Sequence, residues 1–215
     1  MIKVILCDDH ALIRRGIRDT LADAPDIEVV GEAGDYPELR SVMRALPVDK
    51  QCDVLVLDIN MPGRSGLDVL HVLKDEGTAT RVLIVSMYPE DQYAIRALRA
   101  GAYGYVNKGG DPQLLVQAVR TVAQGRKYVT PEIAQMLVES LTAPAPEQAH
   151  QKLSDRELQT LVMIASGKRL SDIAEELMLS PKTVSVYRAR VLEKLGLSNN
   201  SELTVYAIRN GLVES

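Results

Sequence analysis

The chain has 215 residues, 46% of them apolar and 25% charged, and 25 Lys and Arg against 29 Asp and Glu give a net charge of −4. That length suits two modest domains, and the composition is ordinary for a soluble globular protein. Cys7 and Cys52 are too few and too far apart for a disulfide framework or a metal cluster, and the scattered His10, His71 and His150 suggest no metal site. No apolar run reaches the length of a membrane span, and Met1-Ile-Lys-Val opens directly on a strand-like segment. The expectation is a cytoplasmic protein with no signal peptide, anchor or membrane partner.

Lys3 to Asp8 is an unbroken apolar run that ends in carboxylates, the pattern of a strand buried on both faces. Ala11 to Leu21 follows with helical spacing. Ile27 to Ala33 is strand-like and Pro37 to Leu46 helical. Asp53 to Asp58 is a second apolar strand with an acid at its end, followed by a helix over Gly66 to Leu73. Arg81 to Ser86 is a third such strand, and Glu90 to Arg99 is helical. Tyr103 to Asn107 is strand-like, and Pro112 to Ala123 closes the series as a helix. Five β–α alternations predict a parallel sheet with helices on both faces. Right-handed crossovers make it a doubly wound, flavodoxin-like α/β domain.

In that architecture function gathers at the carboxyl ends of the strands. Those ends carry Asp8, Asp9, Asp58, Ser86 and Lys108. Carboxylates on one rim repel each other unless a divalent cation lies among them, and oxygen-only ligands favour Mg²⁺. Asp58 stands alone at its strand end, and the loop from Ile59 to Gly66 looks tight enough to keep its carboxylate exposed. A carboxylate beside Mg²⁺ can attack a phosphoryl group and form an aspartyl phosphate, whose oxygens Lys108 and the Ser86 hydroxyl would then hold. A single strand-end Asp is more often a helix cap, and a lone Lys is more often solvated; the weight lies in five positions in the right order. His10 reads as helix-start packing rather than a phosphorelay residue, and Cys7 as a small core residue. Met87 to Tyr93 is a candidate contact face.

Asp8-Asp9, Asp58-x-x-Met-Pro-Gly, Ser86 and Gly104-Tyr-Val-Asn-Lys108 together resemble the receiver domain of two-component response regulators. The resemblance implies that Asp58 is the phosphoacceptor, that Asp9 binds Mg²⁺ directly and Asp8 through water, and that the Asn60 backbone carbonyl is the third protein ligand. It also implies that Lys108 pairs with the phosphate, that Ser86 is the switch hydroxyl, and that Tyr105 turns inward when Ser86 moves. Ser86 stands where relatives more often have Thr, with the hydroxyl retained.

Gly125 ends this domain in the sequence reading, which places the receiver at 1–126. Thr130 to Leu141 has an N-cap, a proline in the first turn and helical apolar spacing, so a linker helix is expected. Thr142 to Gln151 is rich in Pro, Ala and Gln and lacks a core pattern, so a flexible stretch is expected, and the linker spans 127–151. From Lys152 to Ser215 the net charge is +1, which leaves −5 for the rest. With so little positive charge, one such unit could neutralise few anionic groups, so any affinity for a polyanion would depend on dimerisation.

Leu153 to Gly167 opens with a capping box, Ser154 to Glu157, and ends on a glycine. Ile173, Ala174 and Leu177 share a short helical face, and Leu179 closes a turn. Ser180 and Pro181 start a second helix that buries Val184, Tyr187, Val191 and Leu195 and stops at Gly196. Ser201 to Leu212 supplies a fourth helix. A short helix propping a longer one with a basic, small-residue face is how a helix-turn-helix enters the major groove. A plain αα-hairpin with solvated charges fits the local pattern about as well.

The order of these helices, the glycine positions and Ser180-Pro-Lys-Thr-Val resemble the LuxR-type DNA-binding domain, an all-α four-helix unit over 152–215. The whole chain is similar to the NarL/FixJ family of response regulators, and the stretch from Leu179 to Arg190 to its GacA/UvrY branch. The resemblance implies a transcription regulator, not an enzyme, which receives a phosphoryl group from a sensor histidine kinase. It would then pair as a homodimer on double-stranded promoter DNA, with RNA polymerase as a further candidate partner. In the resting form the receiver would cover part of Lys182 to Lys194. By helical angle, Lys182, Ser185, Val186 and Ala189 would face the bases, while Arg188, Arg190 and Lys194 would mostly grip phosphates or the dimer partner; Thr183 is a further DNA-binding candidate. Val205 and Ile208 are candidate dimer contacts. Two other classes stay open. One is an aspartyl-phosphate phosphohydrolase, against which Asn60 stands where a second acid would be needed. The other is a binding module whose C-terminal domain only dimerises.

Overall fold

A computed structural model describes residues 1–46, 52–88, 90–142 and 149–213. The chain divides into two compact units, Met1–Glu139 and Ser140–Ser215.

In the first unit β1 (Ile2–Cys7), α1 (Ala11–Ala22), β2 (Ile27–Ala33), α2 (Tyr36–Ala45), β3 (Val54–Leu57), α3 (Gly66–Asp75), β4 (Arg81–Ser86), α4 (Glu90–Ala100), β5 (Gly104–Asn107) and α5 (Pro112–Ala123) alternate. The strands lie in the order β2-β1-β3-β4-β5, and all neighbours are parallel. This is the expected doubly wound sheet. Its order reverses between β1 and β3, which places Asp8 and Asp58 side by side at the switch point.

The apolar runs lack alternation because both sheet faces are covered. Val4, Leu6, Val54, Val56, Leu83 and Val85 pack with Leu21 of α1 and with Leu115, Val119 and Val122 of α5. The intervening Ile5, Leu55, Leu57 and Ile84 point the other way and are just as buried. Truncating one such leucine to alanine would cost about 2–5 kcal/mol.

The unit runs past Gly125. Tyr128 donates its N–H to the Tyr103 carbonyl at 2.7 Å, bridges to Gly104 and puts its ring in the core. Gly104 permits this approach, since a Cβ there would lie 2.9 Å from the Tyr128 carbonyl oxygen. The expected linker helix is α6 (Pro131–Thr142). Its first turn is tied to the first unit: the Thr130 hydroxyl donates to Glu90 Oε2 at 2.9 Å, and Ile133 is buried.

Of the expected flexible stretch, residues 143–148 lie outside the described residues. Its end, Ala149–Lys152, is a 3-10 turn built into the second unit. There His150 is buried, with its ring edge-on to Tyr206 and Nδ1 3.1 Å from the Tyr206 hydroxyl. The four expected helices follow: α7 (Asp155–Ala165), α8 (Leu170–Glu176), α9 (Pro181–Leu195) and α10 (Asn200–Arg209). Both sides of the Ser154–Glu157 capping box form. Ser180 caps α9, and Gly196 ends it at φ 65. Asn199, rather than Ser201, begins α10 as its N-cap. Ile173, Ala174, Leu177, Val184 and Val191 are buried. The turn between α8 and α9 runs through Met178 at φ 50, a left-handed conformation held by an exposed side chain.

Candidate acidic site and candidate nucleic-acid interface

Asp8 leaves β1, Asp58 leaves β3, and Lys108 follows β5. Lys108 Nζ lies 2.7 Å from Asp8 Oδ2 and 2.8 Å from Asp58 Oδ2, and all three side chains are almost wholly buried. The ammonium neutralises two acids that would otherwise repel. Asp8 Oδ1 is also held, accepting the His10 backbone N–H at 2.8 Å. Asp9 Oδ1 lies 2.7 Å from His10 Nδ1. Asp58 Oδ1 is buried and has no hydrogen-bond partner. Among the described residues the Asn60 carbonyl accepts no hydrogen bond. A buried, orphaned carboxylate oxygen beside two more acids and an available carbonyl is a donor set that fits a hard divalent cation such as Mg²⁺.

The expectation of an exposed Asp58 is corrected, because its residue is only 3% exposed. Lys108 Nζ lies against its carboxylate, and the loop after β3 packs on the Asp58 backbone, where a Cβ on Gly66 would lie 2.0 Å from the carbonyl oxygen. Burial pushes the Asp58 carboxyl up to about 6; Lys108 pulls it down, and the Asp8 charge adds to the rise.

Ser86 ends β4 buried, its Oγ accepting the Tyr88 N–H at 3.3 Å. The Tyr105 hydroxyl donates to the Tyr88 carbonyl at 2.7 Å, and its ring is fully buried. Tyr105 is therefore already inward here, held by ring burial and by that hydrogen bond. Tyr93 is buried and stacked on Tyr88, so only Met87 of the expected contact face stands well out among the described side chains. Cys7 is a buried core thiol, as read from the sequence, and burial pushes it up to about 12.

In the second unit α9 presents Lys182, Ser185, Val186, Ala189 and Arg190 to solvent, with Thr183 and Arg188 half-buried. The Thr183 hydroxyl pairs with that of Ser180 at 2.8 Å, and Ser185 donates to the Pro181 carbonyl at 2.9 Å. Ser185 therefore keeps an acceptor for a base N–H. Arg188 Nε donates to Asn200 Oδ1 at 2.6 Å, which aims its guanidinium from the helix flank. Lys194 is placed differently from its expected partners. Its ammonium lies 2.6 Å from Glu157 Oε2, the buried end of the α7 capping box, so its charge serves the domain's own fold. Val205 and Ile208 stand exposed on α10. Val205 lines a groove of about 310 Å³ with Leu197, Ser201, Tyr206 and Arg209.

The reading of His10 as helix-start packing is corrected: its side chain makes no capping bond, and its ring lies beside Asp8 and Asp9. It faces the acids across the switch point, and lone histidines carry no spacing signal.

A family model described as the response regulator receiver domain matches residues 4–120, and one described as bacterial regulatory proteins, luxR family, matches residues 151–207. The chain is 39% identical over 215 residues to the response regulator GacA of Pseudomonas protegens, covering 100% of this chain and 99% of that protein. It is 39% identical over 213 residues to the response regulator UvrY of Escherichia coli, covering 99% of this chain and 96% of that protein. Among solved structures it resembles RcsB from Salmonella enterica serovar Typhimurium bound to promoter rprA in the presence of phosphomimetic BeF₃⁻. That likeness has a TM-score of 0.64 at 27% identity, and covers 95% of this chain and 97% of that one.

Proposed function

Because the chain belongs to the response regulators that join a receiver domain to a LuxR-type DNA-binding domain, we propose that phosphorylation of Asp58 controls its binding to promoter DNA. The observation that carries this reading is the Lys108 ammonium between the buried Asp8 and Asp58 carboxylates, beside an Asp58 oxygen with no partner.

A sensor histidine kinase donates the phosphoryl group. The Asp58 oxygen forms a bond to phosphorus as the bond from phosphorus to the donor nitrogen breaks, and the donor histidine keeps that electron pair. Asp8, Asp9, Asp58 and the Asn60 carbonyl would hold Mg²⁺, which when bound offsets the charge gathered on the phosphoryl oxygens. Lys108 leaves the carboxylates for the new phosphate oxygens, and Ser86 turns its hydroxyl toward them. Tyr105 then keeps its inward place as the Ser86–Tyr88 segment shifts. A modification biases two states only by interacting differently with them, and Lys108 and Ser86 supply that difference.

The readout is DNA. Lys182, Ser185, Val186 and Ala189 of α9 meet the base edges, Arg188 and Arg190 meet phosphates, and Thr183 contributes to the DNA-facing end of the helix. In this reading Lys194 braces the domain rather than gripping phosphate. Val205 and Ile208 pair two copies across a two-fold axis. The division of labour is a receiver over 1–126, a linker over 127–151 and a DNA-binding domain over 152–215, in the cytoplasm. No helix of the described residues is long and apolar enough to cross a membrane. RNA polymerase is a further partner of this reading.

The test is labelling by a small phosphodonor, followed by selection of bound duplexes from a random library. The wild-type chain takes one phosphoryl group in Mg²⁺, and Asp58→Asn takes none. Undiminished labelling of Asp58→Asn, or recovery of no duplex with or without phosphodonor, would overturn the proposal.

A further inference from the structure

The short link between β1 and α1, Asp8 to His10, carries two of the acids at the switch point, and its backbone is anchored from outside that cluster. The Asp8 carbonyl, just past the end of β1, accepts an N–H from Arg14 Nη1 of α1. Among the described residues no backbone N–H donates to that carbonyl, so the guanidinium is what satisfies it. Arg14 is held in turn by β2: its Nε lies 3.2 Å from Glu32 Oε2. Glu32 sits within β2, opposite Leu6 of β1. Its other oxygen, Oε1, accepts an N–H from Arg18 Nη1 at 3.0 Å. One carboxylate on β2 therefore braces two arginines of α1, and of these two only Arg14 reaches on to the Asp8 carbonyl. The Arg14 side chain is 20% exposed against 43% for Arg18, so the arm that reaches the link is the better shielded from water and salt.

We propose that Arg14 is a positioning residue for phosphoryl transfer to Asp58: braced by Glu32, it fixes the backbone that joins Asp8 to Asp9. This rests on the reading above that Asp58 is the phosphoacceptor. The physical argument is preorganisation. The Asp8 carboxylate is set by Lys108 Nζ and by the His10 N–H, whereas the carbonyl of the peptide between Asp8 and Asp9 is set by Arg14. Rotation of that peptide would swing both carboxylates relative to Asp58 and to an incoming phosphoryl group. A charged donor resists that rotation more strongly than a neutral one, and a misplacement of about 1 Å can cost about a hundredfold in rate. Arg14 acts through Asp8 and Asp9, and touches no reacting atom itself.

The experiment follows labelling of the full-length chain by phosphoramidate in saturating Mg²⁺, and loss of the label once the donor is removed. In that loss a water oxygen bonds to phosphorus and the bond to the Asp58 oxygen breaks; Asp58 keeps the electron pair and inorganic phosphate leaves. Donor affinity cannot enter the second rate, so the pair of rates separates positioning from donor binding. Arg14→Ala slows both rates about tenfold or more. Glu32→Ala also slows both, and the double variant is no slower than Arg14→Ala, because the two residues act in series. Arg18→Ala is the control: it removes the other ion pair on Glu32 but keeps both rates within about twofold. Wild-type rates in Arg14→Ala, multiplied effects in the double variant, or equal slowing in Arg18→Ala would make the network a brace for the fold alone. Any of these overturns the inference and leaves Asp58 as the acceptor. Should Arg14→Ala not fold, Glu32→Ala carries the test, since that side chain is 31% exposed, and wild-type rates there overturn the inference. A wild-type chain that takes no label, or an Asp58→Asn chain that does, overturns the reading of Asp58 and the inference with it.

Discussion

Lys108 Nζ sits 2.8 Å from Asp58 Oδ2 and 2.7 Å from Asp8 Oδ2, so one ammonium stands between two acids from different strands. In Lys108→Ala those carboxylates face each other buried and unpaired. Without divalent cation the variant loses about 3 kcal/mol of stability, the scale for removing one partner from a buried pair. Mg²⁺ binds it more tightly, because a competing positive charge is gone. Its phosphorylated form binds DNA no better than its unphosphorylated form. Urea unfolding in chelator and in Mg²⁺, with DNA titration beside it, checks all three. A variant as stable in chelator as the wild type would show that the ion pair contributes nothing.

Asp58 makes stability depend on pH. Its folded-state value of about 6 lies above the ordinary value of 3.8, so between the two the native state holds more protons than the unfolded chain. Stability then falls as pH rises from about 4 through about 6. Asp58→Asn removes that penalty, so in chelator at pH 8 it should be more stable than wild type by about 1–3 kcal/mol. The gap should close by pH 4. Unfolding of both proteins at the two pH values measures it, and a constant gap would remove Asp58 as its source.

Arg188 and Lys194 should separate cleanly. Arg188→Ala weakens binding on every duplex and lowers the salt slope by about 1, the signature of a lost phosphate contact. Lys194→Ala leaves the salt slope unchanged and costs about 1–3 kcal/mol of stability, because Glu157 stays buried after losing its cation. Burial alone would raise the Glu157 carboxyl, but its hydrogen bonds with Lys194 and Ser154 hold it below its ordinary 4.5. The stability it contributes is therefore present above pH 4.5 and lost as pH falls through the depressed folded value. A reduced salt slope in Lys194→Ala would return that residue to the DNA interface.

Val205 and Ile208 leave 46% and 42% of their surface exposed on α10, beside a groove that a second copy could fill. Val205→Glu or Ile208→Glu should reduce binding to a paired site by about tenfold or more, since burying an unpaired charge costs more than the 1.4 kcal/mol a tenfold change needs. Binding to a half-site should hardly change. Equal loss on both sites would show that α10 supports the fold rather than pairing.

Ser185 and Ala189 should set base preference. Ser185 offers an acceptor, and Ala189 leaves room for a thymine methyl. Replacing either by Lys should change the duplexes selected from a random pool more than it changes their salt dependence. An unchanged consensus would move base readout elsewhere on α9.

Much of this protein was legible in the chain itself. The apolar runs that end at Asp8, Asp58 and Ser86, and the caps at Ser154, Ser180 and Gly196, are local patterns. Burial on both sheet faces and hydrogen bonds three or four residues apart leave direct marks on neighbouring positions. What only the tertiary structure decided concerns partners far apart in sequence. Asp58 is buried, not exposed, in a site where Lys108, which follows a different strand, lies against its carboxylate. Lys194 belongs to Glu157 because α9 lies across α7. Tyr128 joins the core because Gly104 has no side chain, and His150 joins the second unit through Tyr206. His10 meets Asp8 and Asp9 as chain neighbours, and Asp58 joins them only because strand order places β1 next to β3. Hydropathy and capping act over a few residues of chain, whereas the charge that a buried group meets is set by whichever strands and helices the fold brings beside it.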